Sequence, residues 1–327
     1  LHIKTSELRK QGTAVVAFST LSVALSTFFF GTLIWLVFGV FGIQVEYVYC
    51  LWFGALVSPT DPIAVIGILK QSNMPREIEA TINGESLFND GVGVVFFVTI
   101  GQVINLGVEN LSALDVLLLF GREVVGGICL GLVVAGLAFW LIKKIDHYQT
   151  EVLISLALVM MCSEVARLLH VSGPLAVIVG GLVLGNTVRD RAMSETSRDY
   201  HNKFWELVDD FLNAILFVLI GLQMVIMPFI TNYIVIGFIA ILLLLLCRFV
   251  SLSIPIIFLK NKTLFNGRTA LIMTWGGLRG GLSVALTLSL PDSAYKEAIV
   301  SITYIIVIFS ILVQGLTTGW LVKKLYA

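Results

Sequence analysis

Long apolar segments separated by short polar stretches form the main pattern along this chain. A helix that crosses the hydrocarbon layer of a membrane needs about 20 apolar residues, and ten segments come close to that length. We label them A 12–40, B 46–69, C 77–105, D 114–142, E 151–169, F 172–188, G 204–226, H 231–259, I 268–290 and J 296–322. The pattern therefore predicts an all-α polytopic membrane protein that lies in a lipid bilayer.

The composition supports a membrane environment. Of the 327 residues, 57% are hydrophobic and 13% are charged, whereas about a quarter of the residues in a soluble domain are charged. The formal net charge is zero, so no long-range attraction to nucleic acid is expected. We therefore expect lipid, and no nucleic acid, as a partner.

Positively charged residues between the segments predict the orientation. Cytoplasmic loops of membrane proteins carry an excess of Lys and Arg. Sixteen of the 21 Lys and Arg residues would lie on one side of the membrane, whereas the opposite loops hold only Arg167 and Lys296. The sixteen are Lys4, Arg9, Lys10, Lys70, Arg76, Lys143, Lys144, Arg189, Arg191, Arg198, Lys203, Lys260, Lys262, Arg268, Lys323 and Lys324. Both termini of this chain are therefore predicted to be cytoplasmic.

Two segments contain residues that interrupt a helix at corresponding places. With this orientation, segments A to C and H to J have opposite topologies, as in two inverted repeats. Segment B is interrupted by Pro59 and Pro62 within the stretch SPTDP at 58–62, and segment I by four glycines around Arg279 at 276–281. Proline removes a backbone donor, and glycine lowers helix stability. We expect two discontinuous crossing helices, with a proline kink and a glycine packing face as the alternative.

Four charged residues are expected at one depth in the membrane. At a rise of about 1.5 Å per residue, they lie roughly 16 to 26 Å from the start of their segments. They are Asp61, Asp90, Arg248 and Arg279. Charges inside a membrane are costly and usually functional, so opposite charges at one depth indicate one site.

Segment C carries the stretch GESLFND at 84–90. Ser86 and Asp90 are four residues apart and share one helix face, whereas Glu85 and Asp90 point about 140° away from each other. One carboxylate can therefore face an ion pathway while the other turns into the protein, where a buried charge needs a partner. We expect Arg248 to be the partner of Glu85.

Asp90 is then the acid that remains for ion binding. The hydroxyls of Ser86 and Thr60 would add oxygen ligands, and an all-oxygen site suits Na⁺ or Li⁺ better than a transition metal. Desolvation favours the neutral carboxyl, so a proton and a cation would compete for Asp90. Two alternatives stay open: Asp90 is only paired within the bundle, and Asp61 only balances helix N-termini.

Two other classes of protein would use the same residues differently. In an intramembrane aspartyl protease, Asp61 and Asp90 would form a catalytic dyad, but the Gly-x-Gly-Asp motif that such enzymes resemble is absent. A cation channel or a non-transporting scaffold is the other alternative, and a channel would conduct ions without saturable proton movement. We predict a secondary transporter and not an enzyme.

Several stretches occur in the order found in a known family and cover essentially the whole chain. They are SPTDP at 58–62, GESLFND at 84–90, an arginine after a long apolar run at 248, WGGLRGGLSVAL at 275–286 and VQGLT at 313–317. Together they resemble the monovalent cation/proton antiporters, in the branch with bacterial sodium/proton antiporters and animal sodium/proton exchangers. The resemblance implies exchange of Na⁺ or Li⁺ for H⁺ by alternating access without a cofactor, with K⁺/H⁺ exchange on the same fold as the alternative.

The resemblance also implies a domain organisation and roles for residues. A single membrane domain, 1–327, would form a homodimer, with a mobile core at 11–106 and 231–327 and a linker and dimer-interface part at 107–230. The implied ion- and proton-binding residues are Asp90, Asn89, Ser86, Thr60 and Asp61, of which Asp90, Ser86 and Thr60 would be the Na⁺ ligands. Glu85 and Arg248 would form a structural ion pair, and the crossing region would include Pro59, Pro62 and Arg279.

The residue before Asp90 bears on the stoichiometry. An asparagine at 89 resembles the branch that is generally electroneutral, since one free carboxylate can trade one proton for one cation. Relatives usually have further helices before Lys4, so this chain is expected to lack N-terminal helices. The expected location is a bacterial inner membrane.

Overall fold

The computed structural model describes residues 11–61, 76–226, 231–258 and 265–326, which are helical apart from short connections. The helices are α1 (Gly12–Val40), α2 (Tyr47–Val57), α3 (Arg76–Leu106), α4 (Ala113–Ile142), α5 (Tyr148–Leu169), α6 (Gly173–Val188, continued by Arg189–Ala192), α7 (Glu195–Ile226), α8 (Thr231–Phe258), α9 (Gly267–Gly276), α10 (Gly281–Leu288) and α11 (Lys296–Phe309, Ser310–Gln314 and Gly315–Tyr326). The predicted all-α class is confirmed.

Six of the described helices are long and apolar enough to cross a membrane. They are Gly12–Val40, Glu77–Leu106, Ala113–Ile142, Tyr148–Leu169, Asn232–Phe258 and Lys296–Leu325. Helices α2 and α6 are apolar but shorter. The chain is thus an integral membrane protein. The predicted count of ten spans is not confirmed, because α7 is not among the six and segment I is divided between α9 and α10.

The chain divides into two compact units. The smaller unit contains Glu109–Leu219, which comprises α4 to α6 and most of α7. The larger unit contains Gln11–Val108 and Ile220–Ala327, and so includes α1 to α3 and α8 to α11. Every residue predicted for the ion site belongs to the larger unit.

The smaller unit has its own apolar core, formed by buried faces of α4, α5 and α6. Helix α4 begins with a capping box, in which Ser112 Oγ accepts from the Asp115 N–H at 3.3 Å and the Asp115 carboxylate accepts from the Ser112 N–H at 2.9 Å. Helices α4 and α6 approach closely at Gly131, where an added Cβ would lie 2.5 Å from the Ala176 carbonyl oxygen. Glycine is therefore required at this contact.

The core of the larger unit holds α2 at a defined position. Helix α1 packs against α2 and α8, and α8 packs against α11. The rings of Phe30 and Phe53 meet edge to face with their centroids 5.3 Å apart. An added Cβ at Gly54 would lie 2.4 Å from the Thr27 carbonyl oxygen. This close packing of α1 on α2 determines where the last turn of α2 ends.

The predicted start of segment G at residue 204 is wrong for the helix, because α7 begins at Glu195. Ser194 precedes the helix, where its Oγ accepts from the Ser197 N–H at 3.4 Å and its carbonyl accepts from the Arg198 N–H at 3.0 Å. The first turns of α7 are polar, so the apolar pattern marks only the part that is hydrophobic enough for lipid. Hydropathy therefore located the apolar segment but not the residue at which the helix begins.

Candidate functional site

A helix end and a break between two helices lie in the larger unit, at the two places where the sequence predicts discontinuous helices. Helix α2 ends at Val57, and residues 58–61 that follow are not helical. Helices α9 and α10 leave residues 277–280 between them, where the sequence predicts an interruption. The rest of segment B, including Pro62, lies outside the described residues.

A backbone hydrogen bond joins the non-helical residues after α2 to those between α9 and α10. The Asp61 N–H donates to the Leu278 carbonyl oxygen at 2.8 Å, and the two residues form an isolated antiparallel bridge. The approach is close: an added Cβ at Gly277 would lie 2.9 Å from Thr60 Cγ2 and 2.9 Å from the Met273 carbonyl oxygen. Only glycine fits at 277 without displacing Thr60.

Gly277→Ala is therefore expected to destabilise the protein, by about 1 to 3 kcal/mol as for other overpacked sites. Gly39→Ala is a matched control, since no heavy atom lies within 4 Å of its added Cβ. Melting temperatures of the two purified variants test the prediction. Equal melting temperatures would contradict the close contact between Gly277 and Thr60.

The carbonyl groups at the end of α2 receive hydrogen bonds from α10 and the residues just before it. Ser283 Oγ donates to the Leu56 carbonyl oxygen at 3.1 Å. Arg279 Nη1 donates to the carbonyl oxygens of Ser58 and Pro59, the latter at 2.6 Å. A buried cation at the C-terminal end of a helix also interacts favourably with the helix dipole. The structure thus gives Arg279 a role that the sequence did not, since it caps α2.

Helix α11 contacts the end of α9 and the non-helical residues between α9 and α10. The Arg279 N–H donates to Ser310 Oγ at 2.7 Å, and Ser310 Oγ donates to Gln314 Oε1 at 2.7 Å. Gln314 Nε2 donates to the Trp275 carbonyl oxygen at 3.0 Å. Ser310 and Gln314 are the ends of a π-helical turn, a feature that is frequent at functional sites.

Four buried side chains form one hydrogen-bonded network between α3, α8 and the end of α2. Arg248 Nη2 donates to Glu85 Oε1 at 2.6 Å and to Thr60 Oγ1 at 3.1 Å. Asn89 Nδ2 donates to Glu85 Oε1 at 3.0 Å and to Thr60 Oγ1 at 2.6 Å. Each of these side chains is at most 3% exposed. The Thr60 hydroxyl oxygen thus accepts two hydrogen bonds in this arrangement.

Ser86 and Asp90 lie on the other face of α3. Ser86 Oγ donates to the Thr60 carbonyl oxygen, which leaves the lone pairs of the Ser86 hydroxyl for a further contact. Asp90 is partly exposed, and its charge interacts with those of Asp61 and Arg279. The structure therefore brings Thr60, Ser86 and Asp90 into one region.

The sequence pattern of the family described as "Sodium/hydrogen exchanger, transmembrane" matches residues 1–324. The chain belongs to the sodium/hydrogen exchanger family. This exchanger is similar to the Na(+)/H(+) antiporter NhaP of Pseudomonas aeruginosa, with 44% identity over 332 residues that cover 100% of this chain and 78% of the relative. It is also 36% identical to the Na(+)/H(+) antiporter NhaH of Halobacillus dabanensis, over 84% of this chain and 68% of that protein.

The fold of the exchanger resembles that of a solved transporter. The sodium proton antiporter MjNhaP1 from Methanocaldococcus jannaschii matches with a TM-score of 0.78 and 21% sequence identity, over 99% of this chain and 81% of that chain. The family match confirms the predicted resemblance and the prediction of a transporter rather than an enzyme.

Three residues that form hydrogen bonds around the end of α2 and the break between α9 and α10 were not predicted for the site. Ser283 lies in the stretch at 275–286 and Gln314 in the stretch at 313–317, so both carried a signal without an assigned role. Ser310 carried only the weak signal of a polar residue in an apolar helix. Their contacts join residues far apart in sequence, which is why the local pattern did not identify them.

Proposed function

We propose that this exchanger moves Na⁺ across the membrane in exchange for H⁺, and that both ions bind Asp90. The observation that carries the proposal is the different surroundings of two carboxylates on one helix. Glu85 is buried and accepts a hydrogen bond from Arg248 at 2.6 Å, whereas Asp90 lies on the other face of α3 and is partly exposed. One acid is thus used for structure, and the other remains for ions.

The charges around the site support a one-for-one exchange. Three carboxylates and two guanidinium groups lie in this region. The charge of Asp90 interacts with those of Asp61, Glu85 and Arg279, and Glu85 is paired with Arg248. With all five groups ionised, this set carries one net negative charge. A bound proton or a bound Na⁺ brings it to zero, and a neutral site crosses lipid at the lowest electrostatic cost. We therefore propose electroneutral exchange.

The proposed ligands are oxygen atoms near Asp90. The Asp90 carboxylate and the Ser86 hydroxyl supply the first of them, because the Ser86 lone pairs are not used in its hydrogen bond to Thr60. Thr60 can add its hydroxyl only if it gives up one of its two accepted hydrogen bonds. Asn89 orients Thr60, and Asp61 is proposed as a second acid. Hard oxygen ligands of this kind accept Na⁺ or Li⁺.

The proposal includes an alternating-access movement. Helices α1 to α3 and α8 to α11 would form two inverted repeats, whose interrupted middle helices meet at the ion site. The larger unit would then be the moving core, and the smaller unit would hold a homodimer together. Bacterial relatives support a location in the bacterial cell membrane, and the loop charges support cytoplasmic termini.

Proteoliposomes that contain a pH-sensitive dye test the proposed function. A pulse of Na⁺ should drive saturable proton movement whose rate does not change when an ionophore clamps the voltage. Pulses of Li⁺ and K⁺ in parallel identify the preferred cation. Ionic conductance without coupled proton movement would contradict exchange and favour a channel.

Arg279→Met should destabilise the protein, because it removes the donor to two buried carbonyl groups. A buried acceptor without a partner costs about 1 to 3 kcal/mol. Arg279→Lys keeps the charge and should have a smaller effect. Arg167→Met is the control, since the Arg167 side chain forms an exposed ion pair with Glu164, and such a pair contributes little. The free energy of unfolding distinguishes the three variants, and equal values would exclude the capping role.

A further inference from the structure

A small cavity lies beside the Glu85–Arg248 ion pair, on the side of α9 and α11. Its volume is about 10 Å³. Its polar lining consists of Arg248, Thr274, Arg279 and Gln314, and apolar side chains of α8 and α11 complete it. The Arg248 side chain in this lining is 1% exposed.

Arg248 has donors that its protein neighbours do not use. Its Nη2 group makes both of the contacts described above, to Glu85 and Thr60. Among the described residues, none accepts a hydrogen bond from its Nε or its Nη1. A guanidinium group with buried, unpaired N–H groups is costly, since each unpaired group loses its hydration without compensation. Arg248 is also one of the residues that line the cavity.

We propose that one buried water molecule occupies this cavity and accepts hydrogen bonds from Arg248. A single water needs about 10 to 15 Å³ of such space and two to four polar partners. Thr274 Oγ1 donates to the Ala270 carbonyl oxygen at 2.7 Å, so its lone pairs can accept from the water. Gln314 Oε1 accepts from Ser310 and has a second lone pair for the same purpose.

Water fits the cavity better than an anion does. The Arg248 charge is already paired with Glu85 at 2.6 Å, and the Arg279 charge faces the carbonyl end of α2. An anion in the cavity would therefore find no positive charge that is still without a partner. A neutral molecule that both accepts and donates matches the two kinds of groups in the lining. The water accepts from the otherwise unpaired donors of Arg248 and links α8 to α9 and α11.

An experimental structure of the complete protein in lipid nanodiscs, at a resolution that shows ordered water, tests the proposal. A peak is expected within about 2.7 to 3.2 Å of Arg248 Nη1 or Nε and of Thr274 Oγ1 or Gln314 Oε1. An empty cavity would overturn the proposal. Crystals grown in bromide provide the second arm, where anomalous signal in the cavity would show an anion site and also overturn it.

Two valine variants give an independent measurement. Thr274→Val removes one of the two proposed acceptors for the water. Thr303→Val removes a buried hydroxyl with the same type of bond, at 2.7 Å to the Ile299 carbonyl, and Thr303 does not line the cavity. The melting temperature should fall further for Thr274→Val than for Thr303→Val. An equal or smaller fall would overturn the proposal. None of these measurements depends on transport, so failure of the proposed exchange would leave their results unaffected.

Discussion

Asp90→Asn is expected to abolish Na⁺-driven proton movement in proteoliposomes and to leave the protein folded. Asparagine keeps the shape of the side chain but has no carboxylate to bind a proton or a cation. Asp90 is partly exposed, and the arginine hydrogen bonds described above go to Glu85, Thr60, Ser58 and Pro59. Loss of the Asp90 charge should therefore leave the hydrogen-bonded network intact. Dye fluorescence after a Na⁺ pulse measures the rate, which should fall to that of empty liposomes.

Asp292→Asn is the matched control for this variant. Its side chain is fully exposed and, within the described part of the chain, pairs with Lys296 at 2.9 Å, one turn away. Such surface pairs contribute little. It should exchange ions at the wild-type rate. Elution volume and melting temperature show whether each variant is folded. A folded Asp90→Asn variant that still exchanges Na⁺ for H⁺ would contradict the role of Asp90.

Glu85→Gln is expected to lower the free energy of unfolding by about 3 to 5 kcal/mol, the cost of removing one partner from a buried ion pair. Glutamine keeps the shape but leaves the charge of Arg248 uncompensated at 1% exposure. The Glu85 carboxylate also accepts from Asn89 at 3.0 Å, so the variant disturbs the contact to Thr60 as well. Chemical denaturation of the purified protein measures the change.

A double-mutant cycle shows whether the loss comes from the stranded charge. Arg248→Met in the Glu85→Gln background removes that charge and supplies an apolar side chain of similar length. The double variant should recover much of the lost stability, because buried ion pairs can be replaced by apolar groups at little cost. If the effects of the two substitutions simply add, the ion pair does not couple the residues and this interpretation fails.

The apolar pattern located several helices to within a few residues. Segment D was predicted at 114–142 and α4 spans Ala113–Ile142, while segment C at 77–105 corresponds to α3 at Arg76–Leu106. These helices are determined by a local property, the length of the apolar run. The start of α7 at Glu195 was missed because its first turns are helical without being apolar.

The sequence also indicated which residues of α3 face which way. Helical geometry separates the directions of Glu85 and Asp90 by about 140°. The predicted depth of Arg248 in the membrane made it the expected partner of Glu85, and the structure contains that pair at 2.6 Å. The contacts of Arg279 could not be predicted in this way. Its guanidinium reaches carbonyl groups more than 200 positions earlier in the chain, and only the folded backbone brings them together.

The direction of the hydrogen bonds at Thr60 could not be predicted from the sequence either. A threonine beside a predicted ion site indicates an oxygen ligand, but its hydroxyl oxygen accepts from Asn89 and Arg248 in the structure. Competition between these donors and a cation depends on distances that no local pattern contains. The assignment of Thr60 as a Na⁺ ligand therefore stays a prediction.

The most direct test of the central claim is the release of protons when Na⁺ binds. The purified complete protein is placed in weakly buffered detergent solution, and the pH is followed as NaCl is added, with choline chloride as the salt control. If one carboxylate holds either ion, Na⁺ should release protons from the wild type and none from Asp90→Asn. Na⁺ binding without proton release, or equal release from the Asp90→Asn variant, would show that the two ions do not share Asp90.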